Sequence, residues 1–342
     1  VSTAQLPSPV RRPVASGGRT GLSTAAGVGL LLLAACVVLS ILVGSTSVSW
    51  NALLDADDPG HAVAGARLAR TFVAVTVGAA LGVGGACLQG LTRNPLADPG
   101  ILGVHAGASF AMIVAITYLG LSDLSAYLWF AFIGAALTLL LVQAVASLGR
   151  DGATPVKVVI TGAAVTAALT SWISGVLLTD RGTMETFRFW QVGTVGGRGY
   201  DVLLPVLPLL VLGALIAVVA VRALDSLALG DDMASGLGRH PARDRLLVGA
   251  AVVLLCGGAT ALAGPVVFVG LVVPHVARTL VGPAHARLLP LSAVYGASLV
   301  TLADTVGRVV LPPTEVQVGI MTAVVGVPVF VALIRRSRLG SL

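Results

Sequence analysis

Apolar residues run along this chain in blocks of about twenty, separated by short polar stretches. A helix rises about 1.5 Å per residue, so about 20 apolar residues cross the hydrocarbon core of a bilayer. Ten blocks are predicted spans: Gly21–Val43, Leu68–Leu88, Ile101–Leu121, Ala126–Leu148, Val156–Leu178, Leu203–Val221, Leu246–Ala263, Val267–Val281, Leu288–Val309 and Val318–Ile334. The first is too long for a signal-peptide core and no A-x-A cleavage site follows it, so it is read as a span. The charge-free stretch Leu246–Pro274 is too long for one straight helix. Gly264-Pro265 lies inside it and predicts a bend between two helices.

The pattern describes an all-α polytopic membrane protein. Residues 1–20 form a polar tail, 21–338 a single transmembrane domain and 339–342 a C-terminal tail. The longest loops, about 44–67, 179–202 and 222–245, are too small to fold alone. Ten spans put both termini on one side, and charge decides which. With the tails inside, Arg67, Arg70, Arg181, Arg188, Arg198 and Arg308 are the outside cations, and the other fifteen of 21 are inside. That bias places both termini in the cytoplasm of a cell-membrane protein.

Composition agrees. Hydrophobic residues make up 56% and charged residues 11% of the 342, and mean hydropathy is +0.97. A soluble domain carries about 25% charged residues, so a soluble enzyme, a disordered chain and a disulfide scaffold are excluded. The 42 glycines suit closely packed transmembrane helices. The net charge of +6 is spread thinly, with no basic run longer than Arg335-Arg336, and reads as loop orientation rather than nucleic-acid binding. Cys36, Cys87 and Cys256 sit in apolar stretches without metal-ligand spacing and read as small buried hydrophobes.

Several chemistries are missing. A phosphate-binding loop needs a lysine after its glycines, and the single lysine, Lys157, is followed by valine. No H-E-x-x-H zinc motif occurs. Ser109 with His275 is a weak serine-protease pair, outweighed by helix packing of Gly107-Ala108-Ser109. The rival reading is a secondary transporter or channel, which would want carboxylates or histidines at mid-membrane. The carboxylates here lie in or near loops, except Asp304 near the outer end of its span. An importer so built needs energy from another subunit.

Five motifs remain. Arg67-Leu68-Ala69-Arg70-Thr71 opens the second span with two arginines on one helix face, suited to interfacial anchoring or to carboxylates of an outer partner. Gln89-Gly90-Leu91-Thr92-Arg93-Asn94-Pro95-Leu96-Ala97-Asp98-Pro99-Gly100-Ile101-Leu102-Gly103 is a tight cytoplasmic turn. In Ser226–Gly238, Leu229, Met233 and Leu237 recur at i, i+4, i+8 and predict a short amphipathic helix that wants a protein groove. Gly264–Arg278 carries the bend. The fifth runs from Leu302 through Asp304 and Arg308, an i, i+4 pair, to Gly319.

In this order the motifs resemble the FecCD-type permeases, type II ABC importers of ferric siderophores, haem and cobalamin. The resemblance covers about Gly21 to Ile334. It implies a non-hydrolytic pathway subunit, without cofactor or metal of its own, for a metal chelate. Ferric siderophore is the first expectation, with haem and cobalamin as alternatives. It implies two ATPase subunits below, an extracytoplasmic binding protein above, a second permease, identical or paralogous, and contact with membrane lipid. By that resemblance Arg67, Arg70 and Arg308 receive the binding protein's carboxylates. Leu227, Ala228, Leu229, Gly230, Asp231, Ala234, Leu237 and Gly238 form the coupling helix for the ATPase. The pathway is implied at Phe189, Trp190 and Gly193 near its outer mouth. Thr154, Pro155 and Val156 fall at a cytoplasmic gate, where the family carries small hydroxyl residues and Pro155 and Val156 depart from that pattern.

Overall fold

The computed structural model describes residues 19–44, 49, 51–121, 123–148, 154–312 and 314–339. The tails assigned to 1–20 and 339–342 therefore fall outside the described residues, apart from Arg19, Thr20 and Leu339. Every regular element is helical among these residues. Seven helices are long and apolar enough to cross a bilayer, and three apolar helices are shorter.

Helix α1 (Arg19–Leu42) is followed by a one-turn α2 (Asn51–Leu54) and by α3 (His61–Thr92). At 32 residues α3 is longer than the expected Leu68–Leu88 and spans about 48 Å, so it overshoots the hydrocarbon core. Then come α4 (Val104–Leu119), α5 (Leu124–Ala146) and α6 (Pro155–Thr179). An amphipathic α7 (Arg181–Gln191) precedes α8 (Tyr200–Val219), the short helices α9 (Val221–Leu227) and α10 (Asp231–Gly236), and α11 (Pro241–Val252). A π turn at Val253–Gly257 joins α11 to α12 (Gly258–Ala263), so the seventh span begins at Pro241 rather than Leu246. The chain then leaves the helix until α13 (Val269–Val281), and closes with α14 (His285–Val310) and α15 (Val318–Leu339).

Helix α3 is the axis of the bundle, with α14 along its length and α1, α8, α11, α12 and α13 around it. In lipid there is no hydrophobic drive between helices, so close backbone approach does the work. Gly78 and Gly82 of α3 lie against the Gly296 and Ser292 backbone of α14, where any side chain would overlap a carbonyl. All three cysteines are buried and free, as their setting in the sequence suggests.

The interruption at Gly264-Pro265 is a full break. Residues 264–268 are non-helical, and Phe268 adopts a left-handed conformation (φ +68°). Irregular backbone at membrane depth is tolerated where protein encloses it or a cavity borders it. Here Gly264 and Val266 are buried while Pro265, Val267 and Phe268 are half-buried.

Candidate functional site: an arginine-ringed end, a broken span and a tethered helix

At one end of the bundle, Arg67, Arg70 and Arg308 converge from α3 and α14. The last carbonyls of a helix lack intrahelical partners and carry partial negative charge. Arg67 donates through Nη1 to the Ile41 and Leu42 carbonyls at 3.3 and 3.1 Å. Arg308 donates to the Ser40 carbonyl at 2.9 Å and to Ser40 Oγ at 2.7 Å. Two guanidinium groups thus cap the C-terminus of α1.

The expected Asp304–Arg308 pair is present at 3.3 Å, but Arg70 holds Asp304 more closely, with Nη2 2.7 Å from Oδ1 and Nε 3.0 Å from Oδ2. Arg70 also reaches Glu315 at 2.8 Å. The three arginines differ in access. Arg67 and Arg308 are buried, whereas the Arg70 side chain is 15% exposed and its partner Glu315 40%.

A cavity of about 460 Å³ opens between these arginines, Arg198, Asp201 and Glu315. Sequence reasoning placed Arg198 outside the membrane without assigning it a role. The loop before α8 brings it to the cavity wall, where it is buried with Nε unpartnered. Burial acts against its charge, and Tyr127 and Asp201 offset part of that. A cavity walled by four guanidinium groups suits an acidic side chain.

Below this end lies the break. Helix α7 is capped by Asp180, which accepts from the Thr183 backbone N–H at 3.1 Å and its hydroxyl at 2.7 Å; these bonds hold the carboxyl below its ordinary range. Its buried face is Thr183, Phe187 and Trp190, spaced as one helical stripe. Trp190 donates to the Ala261 carbonyl at 3.4 Å, and the Thr194 N–H to Ala263 at 2.7 Å. Gly193 (φ +79°) accepts from the Gly319 N–H at 3.1 Å and packs on Pro265. Any side chain at Gly193, Gly264 or Gly319 would overlap a neighbouring carbonyl. Phe189 points away from this knot and is exposed.

Thr154 and Val156 stand at the other end of α6 from Phe189 and Gly193. The structure does not bring the two groups of expected pathway residues together. Thr154 caps α6, accepting from the Lys157 N–H at 3.4 Å, and Pro155 occupies the first helical turn. Between the two ends, α6 exposes a run of small and hydroxyl residues, Ala163, Ala164, Ala167, Ala168, Thr170, Ser171 and Ser174, beside the larger Ile160 and Trp172. By contrast α1 exposes Leu30, Leu31, Leu32 and Leu39. The α1 face suits lipid tails; the small, hydroxyl-bearing α6 face suits another helix or a wet passage.

At the opposite end from the arginines, the predicted amphipathic helix over Ser226–Gly238 is divided. Leu227 ends α9, Gly230 turns the chain at φ +102°, and only Asp231–Gly236 is helical in α10. Leu229, Met233 and Leu237 are all exposed, while Leu227 and Ala234 are buried in the permease. The segment therefore has an outward apolar face of three residues, flanking and crossing a shorter helix than expected. Asp231 accepts from Arg93 and from Arg245, the latter at 2.7 Å. Partial burial opposes its charge, but the hydrogen bond from Arg93 and the charges of Arg245 and Arg93 prevail and depress its pKa. Arg239 pairs with Asp244 at 2.8 Å, and Asp225 accepts from His285 Nδ1 at 2.6 Å. Asp231 with Arg93 and Asp225 with His285 bridge 138 and 60 residues, separations that leave no local signal in sequence.

Comparison with known proteins matches this arrangement. Residues 31–336 match the FecCD transport family. The ferric enterobactin transport system permease protein FepD of Escherichia coli (strain K12) is 41% identical over 317 residues, covering 91% of this chain and 95% of FepD. The iron(3+)-hydroxamate import system permease protein FhuB of Bacillus subtilis (strain 168) is 38% identical, covering 91% of this chain and 83% of FhuB. A solved, inward-facing structure assigned to the metal-chelate type of ABC transporter superposes with a TM-score of 0.80 at 29% identity, covering 92% of this chain and 99% of that one. With its arginine-ringed end, the break between its seventh and eighth spans and its outward apolar segment all inside the matched region, the chain is a multi-pass membrane permease that belongs to the FecCD transport family.

Proposed function

We propose that this permease conducts a ferric siderophore, delivered by an extracytoplasmic binding protein and driven by separate ATPase subunits. The observation that carries the reading is near-complete coverage by permeases of ferric chelates, FepD and FhuB among them. A chelated metal arrives wrapped, so the pathway needs no metal ligands of its own.

The geometry supports a role for each partner. The exposed Leu229, Met233 and Leu237 suit a groove in an ATPase subunit, because an apolar face outside the membrane is stabilised by burial in protein. The small-residue face of α6 suits a second permease, with the passage between them running from Phe189, backed by the buried Trp190 and Gly193, toward Thr154, Pro155 and Val156. The cavity ringed by Arg67, Arg70 and Arg308 suits binding-protein carboxylates. Glu315 already occupies one side of Arg70, so an incoming glutamate would exchange with an exposed internal carboxylate rather than desolvate a bare guanidinium.

The test is purification with its extracytoplasmic binding protein, followed by mass spectrometry of the retained ligand and uptake of iron-55 in proteoliposomes containing ATPase. A ferric siderophore should be retained and imported only with ATP. Retention of haem or cobalamin, with no iron-siderophore uptake, would overturn the substrate assignment while leaving the permease assignment intact.

A further inference from the structure

We propose that Arg93 is the positioning residue that joins the ATPase-facing helix α10 to the break between the seventh and eighth spans; the inference rests on the reading of α10 as the ATPase contact. Three observations carry it.

The first is how α10 is held. Ala234 is its buried residue, and the apolar side chains of Met233 and of Leu229 and Leu237 beside it face outward. Packing therefore contributes little to its position. Its described attachments to other helices are polar and meet at Asp231, which accepts from Arg93 of α3's C-terminus and from Arg245 of α11. Arg93 also donates through Nε to the Leu227 carbonyl at 2.6 Å. One guanidinium thus grips both sides of the turn from α9 to α10. Lysine, a point charge without the planar fork, cannot reproduce that geometry.

The second is the backbone of Arg93. It is the C-cap of α3 in a left-handed conformation (φ 49°, ψ 30°), and its N–H points back to the Gln89 and Gly90 carbonyls. Only two non-glycine residues have positive φ among the described residues: Arg93 and Phe268. Left-handed backbone is uncommon for such residues and persists where surrounding contacts over-determine it.

The third is what the same helical turn holds on its other side. Gln89, one turn before Arg93, is buried and donates through Nε2 to the Gly270 and Leu271 carbonyls at 3.2 and 3.1 Å. These are the second and third residues of α13, directly after the break and Phe268. Phe268 in turn packs against Gly326 of α15. The last turn of α3 therefore touches α10 at Arg93 and the restart of the broken span at Gln89.

The Arg93–Asp231 pair is 35% exposed at Arg93 and 41% at Asp231. Exposed pairs add little to stability, so its removal should alter linkage more than folding. Helix α9 stays anchored to α14 through Asp225 and His285, and α10 stays attached to α11 through Arg245. Without Arg93, α10 keeps its link to α11, which runs on through α12 to the near side of the break, but loses its direct link to α3 and, through Gln89, to the far side where α13 restarts.

The test uses the full transporter with ATPase and binding protein in proteoliposomes. Arg93→Ala should assemble with ATPase and hydrolyse ATP at near the wild-type basal rate, while substrate moved per ATP falls at least tenfold. Arg93→Lys should recover only part of the loss. Asp231→Ala should lower the ratio as well, and the double substitution should be no worse than Arg93→Ala alone, the non-additivity expected of one shared contact. Spin labels at Met233 and Val267 supply a second readout: ATP should shift both in the wild type and only the Met233 label in Arg93→Ala. A wild-type transport-to-hydrolysis ratio, strictly additive effects, or loss of ATPase binding in Arg93→Ala would overturn the proposal. Normal transport by Arg93→Ala would leave the ATPase-contact reading standing if Asp at Leu229 and Leu237 still released the ATPase.

Discussion

Arg70 and Arg308 share one carboxylate, Asp304, yet they occupy different environments. Arg308 is buried among Ser40, Thr305 and Asp304, and its removal leaves Asp304 to Arg70 and the α1 terminus to Arg67. Leaving a buried charge wholly unpaired costs about 3–5 kcal/mol, and the hold of Arg70 on Asp304 keeps the loss below that. Arg70 reaches the cavity, and its pair with Glu315 is solvent-exposed. The two should therefore separate in experiment. Arg308→Ala should lower the thermal midpoint of the detergent-purified permease by several degrees. Arg70→Glu should reduce binding-protein affinity more at low salt than at high salt, where screening shortens the reach of the repulsion. Unchanged low-salt affinity in folded Arg70→Glu would remove Arg70 from the docking surface; an unshifted midpoint in Arg308→Ala would remove the cap. The i, i+4 spacing made Asp304–Arg308 legible in sequence. Arg70–Asp304, 234 residues apart, left no local trace.

Among the elements, the coupling segment shows most clearly where pattern and structure part. Period-four spacing of Leu229, Met233 and Leu237 correctly marked an apolar face, because periodicity reports which side chains share a direction. It overstated the helix, because Gly230 interrupts it at a positive φ that favours glycine. The outward face persists across that interruption. Replacing Leu229 and Leu237 with Asp would place charges where a partner groove buries apolar groups, costing several kcal/mol unless paired. ATPase should then dissociate in pull-down from detergent, with membrane insertion normal. Retained ATPase at wild-type stoichiometry would reduce the segment to a linker. The break at Gly264-Pro265 was legible for the opposite reason: a proline lacking its N–H after a glycine punctuates locally, whatever the neighbours do.

At the scale of the whole molecule, the α3–α14 contact organises the bundle, and glycine position matters more than glycine number. Gly78 faces the Gly296 carbonyl, and Gly65, on the same helix, faces open space. Adding one methyl at Gly78 forces the backbones apart, an overpacking cost of about 1–3 kcal/mol or more. At Gly65 the same methyl gains helix propensity of up to about 1 kcal/mol. Gly78→Ala should thus lower the thermal midpoint and Gly65→Ala should hold or raise it, measured side by side in one detergent. Equal effects would mean that the helices do not meet at Gly78.

The membrane-spanning helical class, the interruption between the seventh and eighth spans and the lack of a phosphate-binding loop were legible in the sequence alone. Each depends on a local quantity: the length of an apolar run against bilayer thickness, the dihedral limits of one residue pair, or the residue that follows a lysine. Tertiary structure decided which arginines cap α1 and which is the more exposed one at the cavity they share, that Arg198 joins them, and that Arg93 holds Asp231 across 138 residues. A guanidinium carries the same charge and donors wherever it sits. Its burial and its acceptors are set by helices brought together from distant parts of the chain, and the helix packing that brings them together is a property of the folded bundle.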